Sequence, residues 1–123
     1  MIVLVTGGRD YKDRAFVFRI LDAIHAKRTI TLLVEGGASG ADTFARQWAQ
    51  ARRISFKTFE AEWDRYGGHA GRVRNCRMLR EAKPDMVAAF AGGVGTRHMC
   101  SIAREAAVPV LESWKFGGSH GGS

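Results

Sequence analysis

Three places in this chain carry residues suited to gripping an anion. Gly7-Gly8-Arg9-Asp10, Gly36-Gly37-Ala38-Ser39-Gly40 and Gly92-Gly93-Val94-Gly95-Thr96 each follow a short apolar run and open a helix-like run. Glycine lets backbone pass where a side chain would collide, and it tolerates positive φ. A helix start offers unpaired N–H groups and the positive end of a dipole. Three such turns set side by side make a floor of backbone donors suited to phosphate. Arg9 adds a guanidinium fork for the same anion. Asp10 can orient a ribose hydroxyl, or a water if there is catalysis. Glu35, at the end of its apolar run, lies where dinucleotide-binding folds hold a ribose hydroxyl.

Each of these residues also has a plainer reading. The glycines can serve tight strand-to-helix turns, with Thr96 as a cap. Ser39 and Asp42 have the spacing of a capping box, which is compatible with Ser39, Gly40 and Asp42 also facing a ligand. Arg9 and Asp10 can form an ion pair that stiffens their loop. Trp63 and Tyr66, in a loop bordered by Gly67-Gly68, can stack on a base or plug the end of a core. Arg74 adds positive charge, while Asn75 falls on the sheet-facing side of its helix and needs a partner there. Arg72, Arg77 and Arg80 read as a solvated basic face, of interest if the ligand is a polynucleotide.

The elements that position these residues follow from periodicity. Apolar runs at 2–6, 30–35, 86–90 and 108–111 predict strands, and alternation over 54–59, with Ile54, Phe56 and Phe59 set against Ser55 and Lys57, predicts an edge strand. Helices are predicted from Asp13, as N-cap, to Lys27, from Ser39 to Arg52, from Ala70 to Ala82 and from Thr96 to Ala107. The segment from Glu60 to Gly71 is the least regular. Pro84 stops the third helix. Alternating strands and helices with short connections predict a single α/β domain: a Rossmann-like, doubly wound parallel sheet of five strands in the order 3-2-1-4-5. In that order the strands ending in Gly-Gly are central neighbours, and the ligand crevice lies between strands 1 and 4. The domain spans residues 1–112, followed by a tail over 113–123 whose Gly117 to Ser123 stretch is Gly/Ser-rich and expected to be mobile.

The totals fit this picture. At 123 residues, 46% of them hydrophobic, the chain has room for one core and too much apolar character for disorder. A net charge of +7 suggests an anionic partner, although it serves solubility as well. No run reaches membrane-span length, and Met1-Ile2-Val3 enters the first strand directly, so neither leader nor membrane association is expected. Cys76 and Cys100 read as reduced cytosolic thiols. The four histidines lack metal-ligand spacing, and no metal is expected. Neither a G-x-G-x-x-G after strand 1 nor a P-loop is present.

Taken in order, Val5-Thr6-Gly7-Gly8-Arg9-Asp10-Tyr11, Glu35-Gly36-Gly37-Ala38-Ser39-Gly40-Ala41-Asp42, Trp63 with Ala70-Gly71 and Arg74-Asn75-x-x-Met78, and Gly92-Gly93-Val94-Gly95-Thr96 resemble the SLOG superfamily. The nearer likeness is to its YspA-type, YpsA-related branch, and it covers about residues 1–112. The resemblance implies a cytoplasmic Rossmann-like domain of bacteria or phages that binds a nucleotide or nucleotide-derived ligand. It also implies possible kinships of function: LOG-type phosphoribohydrolases, which cleave a base from a nucleoside monophosphate, and DprA-type binders of single-stranded DNA. Self-association is frequent among such relatives, with no seam legible here. LOG enzymes carry Pro-Gly-Gly-x-Gly-Thr-x-x-Glu with a catalytic final glutamate. Here Ala91 replaces the proline and Met99 the glutamate, and Met99 fits the apolar face made by Ile102, Ala103 and Ala106. A thioether can neither stabilise an oxocarbenium-like centre nor activate water.

The ligand-contacting set is therefore Gly7, Gly8, Arg9, Asp10, Gly37, Ala38, Ser39, Gly40, Asp42, Trp63, Arg74, Asn75, Gly92, Gly93, Gly95 and Thr96. Asp10, Glu35 and Asp42 are the acids available for catalysis if a nucleotide is hydrolysed. A bound nucleotide is the expected ligand, with nucleic acid as the alternative partner.

Overall fold

The structure is a computed structural model that describes residues 1–117. Its centre is β1 (Ile2–Thr6), whose Val3, Leu4 and Val5 are fully buried. β1 pairs in parallel with β2 (Leu32–Glu35) on one side and β4 (Met86–Ala89) on the other, so Leu4 has Val34 and Val87 as neighbours. β3 (Ser55–Thr58) adds to β2 and β5 (Val110–Glu112) to β4. The sheet has five strands in the order β3-β2-β1-β4-β5, as the alternation of elements predicts. A parallel sheet needs cover on both faces, and the period of two along β1 shows it. Val3 and Val5 point into one core with Phe16, Leu21, Ala45 and Trp48, from α1 (Arg14–Lys27) and α2 (Ala41–Ala51). Leu4 points into the other with Met78 and Met99, from α4 (Ala70–Ala82) and α5 (Val94–Glu105).

The helix ends follow their local chemistry. Asp13 caps α1 by accepting from the Phe16 N–H at 3.1 Å. Asp13→Ala is expected to lower stability by about 1 kcal/mol, the ordinary worth of an N-cap carboxylate, in denaturant titration. α4 stops at Lys83, in the left-handed region, one residue before Pro84. α2 departs from expectation. It starts at Ala41 with Gly40 as N-cap and no side-chain cap. The capping box predicted for Ser39 and Asp42 does not form, because the Ser39 hydroxyl donates to the Arg9 carbonyl at 2.9 Å across the neighbouring turn.

Three further differences concern the margins. Phe56 is 39% exposed rather than sheltered, since β3 is outermost and has one neighbouring strand. The segment after Glu60 contains a short helix, α3 (Trp63–Tyr66), and a 3-10 turn over Gly67–His69. Ser113–Phe116 forms another 3-10 turn with Ser113 buried, so the chain is still packed where the tail was expected to begin. The Gly/Ser-rich residues 118–123 lie outside the described residues. Among the described residues no helix is long and apolar enough to cross a membrane.

Candidate functional site

The carboxyl ends of β2, β1 and β4 bring the glycine turns together. The first and third are tied by the Gly8 N–H, which donates to the Ala91 carbonyl at 3.0 Å. The first and second are tied by the Ala41 N–H, which donates to the Gly8 carbonyl at 3.3 Å. The backbones of the first and third turns touch: a Cβ on Gly92 would stand 2.6 Å from the Gly8 nitrogen and 3.0 Å from the Gly7 carbonyl carbon. Between the turns lies a crevice of about 480 Å3, bounded by Thr6–Tyr11, Ala38, Asp42, Arg74, Asn75 and Ala91–Thr96. It occupies the switch point between β1 and β4, where open parallel sheets bind ligands.

The third turn is the open donor surface. Gly93 is the N-cap of α5 and no side chain caps that helix. Arg97 N–H is bonded to the Gly93 carbonyl at 3.1 Å. The N–H groups of Val94, Gly95 and Thr96 precede it, have no carbonyl four residues back within the helix, and sit at the positive end of its dipole. Asn75 fixes this turn from α4. Its Nδ2 donates to the Gly95 carbonyl at 3.1 Å and lies 3.1 Å from His98 Nδ1, while its Oδ1 accepts from Arg74 Nε at 3.0 Å. Burial, helped by the charge of Arg72, holds His98 below the usual imidazole range, which suits an acceptor nitrogen facing Asn75.

The second turn behaves differently from its sequence reading. The amides of Gly36, Gly37 and Ala38 are already taken by the chain's own carboxylates. Asp42 Oδ2 accepts from the N–H groups of Gly36 and Ala38 at 3.2 Å each. Glu35 Oε1 accepts from the Gly37 N–H at 2.7 Å, and its other oxygen accepts from the Thr58 hydroxyl. Glu35 is fully buried, bonded through both oxygens, and does not line the crevice, so it is not placed to meet a ribose. The floor of donors is therefore supplied mainly by the third turn, with the second filled by carboxylate.

Asp42 is the acid the structure singles out. Its Oδ2 is held by two amides, while Oδ1 is buried without a partner. Burial and the neighbouring Glu35 charge push its carboxyl up to about 7, against the pull of the Ala38 and Gly36 N–H groups and of Arg74. Tyr11 is a residue that sequence reasoning left inside a motif without a role. Its hydroxyl is also buried and unpartnered, and burial, with the Asp13 charge, raises it to about 12. Among the described residues these are the two buried side-chain polar atoms lacking a partner, and both residues line the crevice. Buried polar atoms are nearly always satisfied, so two exceptions in residues of one cavity wall set that wall apart from the rest of the interior.

The remaining predicted residues are distributed around this core. Arg9 and Asp10 are exposed at the rim. Arg74 reaches beneath the second turn and donates from Nη1 to the Gly36 carbonyl. Burial draws its pKa down, opposed by the charges of Asp42, Glu35 and Glu60. Gly40 lies under the first turn rather than on the crevice wall. Gly37, Ser39 and Trp63 face a smaller adjoining cavity shared with Arg9 and Arg74. Tyr66 sits away from both, in a groove with Arg65, Arg72, Arg77 and Arg80. There Arg77 pairs with Glu62 at 3.9 Å and Glu81 at 3.6 Å. Met99 is fully buried among Leu4, Val34 and Phe59.

Strand order and crevice together define a Rossmann-like α/β domain with a cavity at the switch point of the sheet. The chain belongs to the YspA, cpYpsA-related SLOG family, whose model matches residues 1–66. It is 39% identical over 117 residues to the Gene 61 protein of Mycobacterium phage D29, covering 89% of this chain and 93% of the phage protein. The crystal structure of TM1055, a structural-genomics target, shares the fold with a TM-score of 0.70 at 19% identity, over 89% of this chain and 71% of that one.

Proposed function

We propose that the crevice binds a nucleoside 5′-phosphate or a signal derived from one. The phosphate sits on the N–H groups of Val94, Gly95 and Thr96, with Arg9 closing over it from the rim. Sugar hydroxyls reach inward to Asp42 and Tyr11. The observation that carries this reading is the meeting, in one cavity, of an uncapped helix start with Tyr11 and Asp42, two wall residues that each bury an unpartnered polar atom. Family membership supports it, since SLOG domains as a class resemble nucleotide-handling proteins.

Gly93 gives the cleanest test. A Cβ there meets nothing within 4 Å, so a larger side chain fits the protein and fills the ligand space. Gly93→Leu is expected to leave the melting temperature unchanged and to weaken nucleoside monophosphates at least tenfold in calorimetry, the loss of about one or two charge-assisted hydrogen bonds. Unchanged affinity for a monophosphate that binds the wild type would place the phosphate elsewhere.

Asp42 favours a second reading, hydrolysis of the N-glycosidic bond. A carboxyl that keeps its proton near pH 7 can give it to the departing base as the C1′–N bond breaks. Water then adds at C1′ and its proton passes to solvent. The sequence has Met99 at the position of the LOG glutamate, so this acid would act from α2 instead. Incubation with a panel of nucleoside monophosphates, followed by chromatography for free base, decides between sensing and cleavage. Release by the wild type that vanishes in Asp42→Asn supports cleavage, and no release argues for binding alone. Single-stranded nucleic acid has weaker support, because Arg77 and Arg80 already face Glu81 at 3.6 Å.

A further inference from the structure

We infer that the small cavity beside the crevice is a nucleobase subsite, and that it selects guanine. This rests on the phosphate reading above and names the ligand class for the same site. The cavity holds about 200 Å3 and lies between the second turn and α3. Arg9, Ala38 and Arg74 line both it and the crevice. A nucleotide anchored at α5 crosses Ala38 to reach it.

Trp63 forms the outer wall. It is 52% exposed, a large apolar surface left in water. α3, which begins at Trp63, buries none of its residues, so core packing does not explain the helix. The indole rests near α4 at Gly71, where an added Cβ would come no closer than 3.9 Å to it. A tryptophan supported by a helix and half open to solvent is a stacking surface, and stacking of this kind tolerates any base.

Glu60 supplies the choice among bases. Its carboxylate lies over Gly37, with both oxygens 2.9 Å from where a Cβ would stand. Glu60 is exposed and forms no ion pair among the described residues; its charge acts on the nearby Arg74, whose hydrogen bonds go to Gly36 and Asn75 instead. A carboxylate only accepts, and two donors side by side match it best. Guanine offers that pair, N1–H beside its 2-amino group. Adenine and cytosine offer an amino group beside an acceptor nitrogen, and uracil offers one N–H between two carbonyls that a carboxylate repels.

The test is calorimetry of the full chain with GMP, AMP, CMP, UMP and ribose 5-phosphate. GMP is expected to bind tightest, at least about tenfold over UMP, which lies toward the low end of what one bidentate pair discriminates. Trp63→Ala should bring every nucleotide down to the affinity of ribose 5-phosphate while leaving ribose 5-phosphate itself unchanged. Glu60→Gln, at an exposed position, should remove the preference for GMP. Equal binding of the four nucleotides overturns the guanine assignment. Nucleotide affinity that ignores Trp63→Ala and falls instead with Trp114→Ala moves the base to the cavity on the other side of α5, which Trp114 lines. If ribose 5-phosphate binds and Gly93→Leu abolishes it, the phosphate reading survives such a result. If ribose 5-phosphate and all nucleotides fail to bind the wild type, both fall together.

Discussion

Asp42→Asn is expected to stabilise the protein at pH 8, by about 3 kcal/mol, and to flatten its stability between pH 4 and 7. In the folded chain the Asp42 carboxyl is raised from 3.8 to about 7, by burial first and by Glu35 second. An acid whose folded pKa exceeds its unfolded one binds more protons folded than unfolded across that window. The Asp42 contribution to stability therefore falls as pH rises from about 4 to about 7 and stays low above it. A shift of about three units corresponds to roughly 4 kcal/mol, of which Asn recovers most by being neutral. Its amide oxygen can still accept from the Gly36 and Ala38 N–H groups that Oδ2 now holds. Urea titrations of both proteins at intervals from pH 4 to 9 measure this. His98, held below its ordinary range, adds a rise with pH in the same window, so the difference between the two proteins is what reports Asp42. A wild-type stability that does not fall relative to the variant over that interval would mean that Asp42 is ionised in the fold. A carboxyl that weakens its own protein at neutral pH is not there for stability, which is in keeping with the ligand-facing role proposed for Asp42.

The parts legible in the sequence were those set by local physics. Val3-Leu4-Val5 reads as a covered central strand because no polar residue interrupts it, and it is one. Asp13 reads as a cap because the apolar period starts just after it, and its carboxylate accepts from Phe16. Strand order follows from the alternation of short strands and helices. What stayed hidden depends on contacts between segments far apart in the chain. Ser39 and Asp42 have capping-box spacing, but Arg9, thirty residues earlier, draws the Ser39 hydroxyl away. Glu35 has the right place in the order of elements for a ribose contact, yet Thr58 of β3 and the Gly37 amide take both its oxygens. Tyr11 looks like one more residue of a turn until its burial beside the crevice is seen. Trp63 lies on a helix of four residues, too short to show a period. The glycines were legible as a group, but their separate duties were not. Some, such as Gly93, border open space, and others, such as Gly8 and Gly40, make room for neighbouring backbone.

Gly40 belongs to the second kind, and Gly40→Ala is expected to be the most damaging single-methyl change near the site. Its backbone sits at φ 74 and ψ −127, a conformation that glycine alone adopts readily. An added Cβ would stand 2.3 Å from the Gly8 carbonyl oxygen and 2.7 Å from that of Arg9. Both are main-chain atoms, so no side chain can swing aside to relieve the collision. Strain and collision together are worth about 3 kcal/mol or more, a fall of roughly 10 °C in melting temperature for a domain of this size. The first turn must move to accommodate the methyl. The Gly8 carbonyl that would be displaced also accepts from the Tyr11 N–H at 3.1 Å and the Ala41 N–H at 3.3 Å. Moving it shifts Tyr11 in the crevice wall and loosens the start of α2, which carries Asp42. Gly40→Ala should therefore lose stability and nucleotide affinity together, whereas Gly93→Leu loses affinity alone. Thermal melts and calorimetry on the two variants separate the roles. A melting temperature for Gly40→Ala within about 2 °C of the wild type would show that the first and second turns can part without harm, and that the crevice does not depend on their contact.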